Sequence, residues 1–331
     1  MMYSSVKDLI GNTPIVRLSN SDFSEKINIY AKLEFYNPSG SVKDRVGAYM
    51  LTDAELRGTL KQGGTIVEAT AGNTGLGIAF AALNKGYRVI FTVPTKFSAE
   101  KQILMRALGA EIVNTPAEDG MLGAERKAEE LRKSIPGAIS LGQFHNPANP
   151  LAHYFTTARE IYDDLCGKID YFICGAGSGG TFSGIMKYLK EKNFAIQGIL
   201  ADPVGSTIGG GEHSTYDIEG IGNDFIADTM DISLVDKVFK ISDSEAVSGV
   251  REIAKNEGLF VGSSSGAVFS AAKKLASELT SEKTLSDDLM SKSNNFTSAD
   301  LVPESNNSTP INIVLIFADR GDRYFSKNLF N

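Results

Sequence analysis

Short apolar runs alternate with amphipathic stretches along almost the whole chain, which is the pattern of parallel strands joined by crossover helices. It predicts strands at Ile15–Leu18, Ile29–Leu33, Thr65–Glu68, Val89–Val93, Glu111–Val113, Tyr171–Cys174, Gln197–Ala201, Val238–Ile241 and Ile311–Phe317, with helices in the gaps. One helix starts at Ser41, carries Val42, Val46, Tyr49 and Met50 on one face, and stops at Gly58. Another carries Tyr154, Phe155, Ala158, Ile161, Tyr162 and Leu165 and stops at Gly167. Ser242-Asp-Ser-Glu245 reads as a capping box that opens a third. At 331 residues the chain is long for one core, so the fold is α/β with two lobes or one large sheet. The prolines of Asn146-Pro-Ala-Asn-Pro150 interrupt the pattern and mark a lobe boundary. There is no internal repeat.

Composition narrows the function class. A formal charge of −7 without a basic stripe argues against a nucleic-acid surface, because a phosphate backbone needs clustered Lys and Arg. No stretch has the apolar length of a membrane span, and Met1 to Pro14 lacks a signal pattern, so a cytoplasmic small-molecule enzyme is expected. Cys166 and Cys174 make no disulfide framework and are expected to be small buried hydrophobes. His145, His153 and His213 are scattered, and no metal site is expected. Residues 280–310 are crowded with Ser, Asn, Asp and Thr and have no sustained period, which reads as a flexible surface insertion. The Asn-Phe-Thr triplet at 295 matches a glycosylation acceptor by chance, given no secretory signal.

Three loops and one lysine carry chemistry. Tyr171-Phe-Ile-Cys-Gly-Ala-Gly-Ser-Gly-Gly-Thr181 is a strand running into a glycine loop and a helix over Phe182–Lys190. Its free N–H groups, the helix dipole and the hydroxyls of Ser178 and Thr181 would cradle a phosphate. The same loop also fits a dinucleotide fingerprint, with Gly175, Gly177 and Gly180 followed by Asp202. Thr65-Ile-Val-Glu-Ala-Thr-Ala-Gly-Asn-Thr-Gly75 repeats the strand–loop–helix device and suits a carboxylate, unless it merely ends a strand. Val261-Gly-Ser-Ser-Ser-Gly-Ala267 is weak alone, since serines are common N-caps, but offers a partner for a heteroaromatic nitrogen. Lys43, at a Ser/Gly corner opening a helix, is the residue on which these turns would hold a phosphorylated aldehyde.

Taken together, these segments resemble the pyridoxal-phosphate (PLP) enzymes of fold type II, in the cysteine synthase and cystathionine β-synthase group. The motifs are Asn-Pro-Ser-Gly-Ser-Val-Lys43-Asp-Arg, Thr70-Ala-Gly-Asn-Thr-Gly, Gln143-Phe-His-Asn-Pro, Gly177-Ser-Gly-Gly-Thr181, Glu219-Gly-Ile-Gly-Asn-Asp-Phe225 and Gly262-Ser-Ser-Ser-Gly. The similarity runs from Ile10 to about Ala271 and resumes over Ile311 to Lys327. It implies two tryptophan synthase β-like lobes with mostly parallel sheets. A smaller mobile lobe would span 36–148, and a larger one 1–35 with 149–331, including the 280–310 insertion.

By the same resemblance Lys43 is the Schiff-base lysine and Asn73 the partner of the ring hydroxyl. Gly177, Ser178, Gly179, Gly180 and Thr181 would bind the phosphate, and Ser264 would face the pyridine nitrogen. Thr70, Ala71, Gly72, Thr74 and Gln143 would line the substrate carboxylate. A neutral serine at the nitrogen makes the ring a weaker electron sink than a carboxylate would, which favours loss of a β-leaving group. Lys43 would take the Cα proton.

This chain departs from the family in two places. Ala71 stands where sulfhydrylases of the group carry serine, and Asp224 stands where plain cysteine synthases have a small residue. Asp224 would orient the amino group of an incoming thiol amino acid, help activate water or a hydroxyl leaving group, or remain a solvated loop carboxylate. The expected reaction is β-replacement on O-acetylserine or serine by a sulfur nucleophile, giving cysteine from sulfide. Cystathionine formation from homocysteine and release of hydrogen sulfide from cysteine are the alternatives within the family. A nicotinamide-dependent oxidoreductase and a catalytically silent binding protein are the alternatives outside it. A homodimer is expected, and a haem-bearing or tandem regulatory form is not.

Overall fold

The computed structural model describes residues 2–19, 24, 26–95, 99–281 and 310–331 in full, and the backbone of 282–293. The chain opens with β1 (Ile15–Arg17) and β2 (Ile27–Leu33), then α1 (Lys43–Leu56), β3 (Thr65–Ala69), α2 (Asn73–Ala82) and β4 (Arg88–Pro94). It continues with α3 (Ala99–Ala107), β5 (Glu111–Thr115), α4 (Gly120–Ser134) and α5 (Ala148–Ala152), a π turn over His153–Thr157, and α6 (Ala158–Asp164). Then come β6 (Tyr171–Cys174), α7 (Gly180–Lys192), β7 (Gln197–Pro203), β8 (Lys237–Ile241), α8 (Asp243–Glu257), α9 (Ser263–Ser293) and β9 (Ile311–Phe317).

These strands form two sheets. Six make the order β1-β2-β9-β6-β7-β8, parallel except for β1, and three make the parallel order β3-β4-β5. Each sheet has its own buried cluster. Ile29, Ile173, Ile199, Leu315 and Phe317 belong to the core on one side of the larger sheet, where α8 and α9 pack; Phe172, Leu200, Val314 and Ile316 belong to the other. Ile66, Leu76, Phe91 and Val93 centre the smaller one.

Eight of the nine strands contain the whole run read from the sequence, and β1 stops one residue short of it at Arg17. The central strands β6, β7 and β9 are buried almost continuously, as a parallel sheet covered on both faces requires. The Ser242 box is present, with Ser242 Oγ accepting from the Glu245 N–H and Glu245 returning the bond, and α8 ends at left-handed Gly258. Three details differ from expectation. The helix over Tyr154–Leu165 is broken by the π turn. Cys166 is exposed rather than buried, in a left-handed turn at φ 49 that ends α6. The backbone of α9 continues to Ser293, so the first part of the 280–310 segment is helical; residues 294–309, including the Asn-Phe-Thr triplet at 295, lie outside the described residues. Among the described residues no helix is long and apolar enough to cross a membrane.

A buried charge cluster fixes α1 against the larger sheet. Arg45, 1% exposed, donates to Glu34 on one side and to Glu160 of α6 on the other, at 2.6–2.8 Å. Lys32 of β2 joins Glu160 at 3.0 Å and the Thr13 carbonyl at 2.6 Å. Arg45 lies two residues beyond Lys43, so this cluster sets where that lysine begins its helix.

Candidate active site

In the larger sheet the chain moves outward from β6 to β7 and β8, then returns to insert β9 between β6 and β2. The reversal leaves a crevice beyond the carboxyl ends of β6 and β9, the usual position for a ligand in such sheets. The loop after β6 is the glycine loop, and the loop after β9 carries Ala318 and Asp319. The N–H of Val42 donates to the Ala318 carbonyl at 2.8 Å, which brings the start of α1 into the same crevice.

A narrow cleft there is lined by Lys43, Gly177, Ser178, Gly179, Thr181 and Ser264, together with Cys174 and Gly220. Six positions chosen from the sequence, drawn from three separate segments, thus meet in one place. Among the described residues the Lys43 ammonium has no hydrogen-bond partner. Burial pulls its pKa below the ordinary lysine value, opposed by Cys174, Asp319 and Glu34. Burial pushes the Cys174 thiol up to about 12, so it lines the cleft as a neutral group. Lys43 sits this deep because α1 and α2 touch through glycines. A Cβ at Gly77 would lie 2.2 Å from the Lys43 carbonyl oxygen, and one at Gly47 would lie 2.4 Å from the Gly77 carbonyl.

α7 starts at Gly180 behind Gly179, which has φ 78 and gives no side-chain cap. The first N–H groups of this helix therefore face the cleft end of the loop without a capping acceptor, as an anion site requires. The hydroxyl of Ser178 accepts from Asn149 Nδ2 at 2.9 Å, and that of Thr181 meets Nε2 of His153 at 3.1 Å. Gly180 itself packs against Asn149 and is not part of the cleft wall.

The substrate-loop residues lead into α2, the helix packed against α1. Thr70 is buried, with its N–H on the Thr92 carbonyl at 3.3 Å. Thr74 donates to Gln143 Oε1 at 2.6 Å, so the start of α2 and the 140s segment are joined. That segment is held by Glu68 of β3, which accepts from Ser140 Oγ, Leu141 N–H and Gly142 N–H at 2.7–3.1 Å. Burial pushes the Glu68 carboxyl up despite these bonds. Ala71 and Gly72 complete the loop, and at Gly72 a Cβ would meet nothing within 4 Å. Asn73 does not line the cleft: its Nδ2 donates to Asp319 at 2.7 Å and its Oδ1 accepts from Arg323 at 2.6 Å. Asp224 is exposed on its loop, outside the cleft wall.

Asp202, which a dinucleotide would need free for a ribose, is buried and paired with Lys240 at 2.6 Å and the Gly209 N–H at 3.0 Å. Sequence reasoning missed Asp319, Arg323 and Tyr324. Their signal is Asp319-Arg-Gly-Asp-Arg-Tyr324, a polar run directly after a central strand.

The residues present fit a phosphorylated pyridine aldehyde: an unpaired amine, an uncapped helix start with two hydroxyls, and a neutral serine opposite. This chain belongs to the family of pyridoxal-phosphate dependent enzymes, whose profile matches residues 6–286. It is 43% identical over 327 residues to the O-acetylserine dependent cystathionine beta-synthase of Bacillus subtilis, covering 99% of this chain and 97% of that one. It is 42% identical over 332 residues to a cysteine synthase of Helicobacter pylori, covering 100% and 99%. The crystal structure of an O-acetylserine dependent cystathionine beta-synthase from Helicobacter pylori superposes with a TM-score of 0.87 at 41% identity over 100% of both chains.

Proposed function

We propose that this enzyme replaces the β-substituent of O-acetyl-L-serine, or of L-serine, with a sulfur nucleophile, forming L-cysteine when the nucleophile is sulfide. The observation that carries this reading is the single cleft in which the unpaired amine of Lys43, the uncapped start of α7 and neutral Ser264 converge. Pyridoxal phosphate, bound on Lys43, supplies the electron sink that makes the substrate's Cα proton removable and its β-group able to leave.

The chain's own groups do the rest. Lys43 would remove the Cα proton, a role helped by the lowered pKa that its buried site enforces. Ser264, in the same cleft, would face the ring nitrogen as a neutral group, which makes the cofactor a weaker electron sink and favours elimination. The N–H groups that open α2, with the Thr70 hydroxyl, would receive the substrate carboxylate, while Thr74 gives its hydroxyl proton to Gln143 and holds that loop in shape. Asn73, whose amide is held by Asp319 and Arg323 beside the cleft, would have its second amide proton left to offer to the ring hydroxyl.

Homocysteine is the second reading for the nucleophile. It is supported by the name of the Bacillus subtilis relative and by Ala71, which removes one hydroxyl from the substrate loop. Asp224 would meet the amino group of such a thiol amino acid only if the exposed loop turned inward. On the family's pattern we also propose a cytoplasmic homodimer in which a lobe over 36–148 closes on substrate.

The test uses the purified protein. Its visible spectrum should show a lysine-bound cofactor band that borohydride abolishes, with the label on Lys43. O-acetylserine should yield cysteine with sulfide or cystathionine with homocysteine, and the ratio of the two rates ranks the nucleophiles. Absence of any β-substituted product would end this reading.

A further inference from the structure

The two hydroxyls of the phosphate loop are backed by a pair of buried side chains that the sequence pattern did not single out. Asn149 and His153 stand four residues apart on α5 and the following π turn, 1% and 0% exposed. Residues at that spacing share one helix face, and here the face meets the loop. Asn149 Nδ2 reaches Ser178 Oγ at 2.9 Å, and His153 Nε2 reaches Thr181 Oγ1 at 3.1 Å.

The direction of the Asn149 bond follows from its other end, and for His153 the two tautomers give opposite directions. Asn149 Nδ2 also lies 2.8 Å from the Gln143 carbonyl, which only accepts, so that atom must be the nitrogen and both its protons are spoken for. Ser178 Oγ is thereby an acceptor from behind, and its own proton is free to point into the cleft. His153 Nδ1 faces Thr157 Oγ1 at 3.0 Å. If Nδ1 carried the proton, Nε2 would take the Thr181 proton, and Thr181 would present only lone pairs to an anion. With the proton on Nε2, Nδ1 accepts from Thr157 and Thr181 keeps its proton for the cleft. Burial pushes His153 down to about 3, so the ring is neutral and adds no charge, and the tautomer with its proton on Nε2 is the one that donates to Thr181.

We infer that Asn149 and His153 are positioning residues that act through Ser178 and Thr181, turning both loop hydroxyls outward as donors to the cofactor phosphate. The inference rests on the assignment of the loop to that phosphate. It makes the phosphate site one of neutral donors and helix dipole, with hydroxyl orientation imposed from a second layer.

The experiment uses the cofactor-loaded enzyme and its apo form, with pyridoxal phosphate as the probe. His153→Leu removes the donor, and His153→Gln places an amide N–H near the Nε2 position. Cofactor affinity is read by reconstitution followed in the visible band, and the phosphate by its phosphorus resonance. His153→Leu should weaken cofactor binding about ten- to hundred-fold, as loss of one donor to a charged acceptor predicts, and shift the resonance. His153→Gln should recover most of both. In a Thr181→Val background, His153→Leu should have no further effect on affinity, because its route is gone. Thermal unfolding of the apo forms accompanies each comparison, since a merely structural histidine would move that readout alone. An unchanged resonance and affinity in His153→Leu, or a full additive loss in the Thr181→Val background, overturns the inference. Should His153→Leu fail to fold, Asn149→Ala with Ser178→Ala decides by the same cycle. A wild-type protein that takes up no pyridoxal phosphate would instead remove the underlying assignment.

Discussion

Asn73, the first residue of α2, gives its side-chain amide to Asp319 at 2.7 Å, across the space between the start of that helix and the end of β9. Arg323 closes the arrangement by donating to Asn73 Oδ1 at 2.6 Å, and Tyr324 donates to the same Asp319 oxygen. Asp319 and Arg323 are both buried, so neither can turn to water if the amide is lost. Asn73→Ala should cost about 1–3 kcal/mol of stability, the penalty for unmade bonds at buried polar groups. Urea unfolding measures it. The same variant should bind cofactor less tightly, since the group proposed to meet the ring hydroxyl has gone.

The contact of α1 with α2 leaves no room for a methyl group at Gly77, where it would strike the Lys43 carbonyl. Interiors transmit such a clash rather than absorb it. Gly77→Ala should therefore lower stability by about 1–3 kcal/mol and displace Lys43. The expected signature is a reduced cofactor band at saturating pyridoxal phosphate alongside a lower Tm. A fully formed band would show that α1 shifts without moving its first residue.

Glu34 and Arg45 form a pair in which both side chains are almost fully buried. Burial pushes the Glu34 carboxyl up, but the charge and hydrogen bonds of Arg45, with a further bond from Thr13, outweigh it and hold it below the ordinary range. Removing one member strands the other. Glu34→Ala should cost about 3–5 kcal/mol, and Glu34→Gln less because it retains an acceptor for Arg45. Equal losses from both variants in denaturant unfolding would assign the effect to shape instead of charge.

Much of this architecture could be read without coordinates because it rests on local chemistry. Continuous apolar runs such as Ile311–Phe317 can only be buried strands, and Ser242 with Glu245 closes its box within one turn. Lys43 and the glycine loop were legible for the same reason, since each belongs to a compact motif, whereas Ser264 lies in a serine turn that is weak alone and took its role from the family resemblance. What escaped depends on distance in sequence. His153 meets Thr181 over 28 positions, and Asn73 meets Asp319 over 246, so neither pairing leaves a local trace. The continuation of α9 was missed for another reason. Polar composition was taken for irregular structure, yet Leu, Glu, Lys and Met between Thr280 and Met290 are strong helix formers, with neither Gly nor Pro to stop them.

The Ser242 cap offers a contrast to the site variants. It caps α8 after the edge strand β8 and is not among the residues lining the cleft, so Ser242→Ala should cost about 1 kcal/mol and leave kcat and cofactor affinity unchanged. A thermal shift without a kinetic change is the expected result.

Acid stability reports on Glu160. Burial pushes its carboxyl up, but bonds and charge from Arg45 and Lys32 bring it from 4.5 to about 2. The unfolded chain therefore takes up a proton at this group before the folded protein does. Its contribution is complete above about 4.5 and is lost as the pH falls through about 2. Asp44 works in the opposite sense, because burial raises it from 3.8 to about 6, and stability from that group increases as the pH falls through this interval. The Asp44 effect is common to wild type and Glu160→Gln and cancels in their difference. At neutral pH the variant should be less stable by about 1.5–3 kcal/mol, the cost of losing hydrogen bonds between charged groups. Between about pH 5 and pH 2 the wild type should lose stability faster, so that the two urea midpoints converge. Midpoints that stay parallel over that range would show that Arg45 and Lys32 do not depress the Glu160 carboxyl in the folded protein.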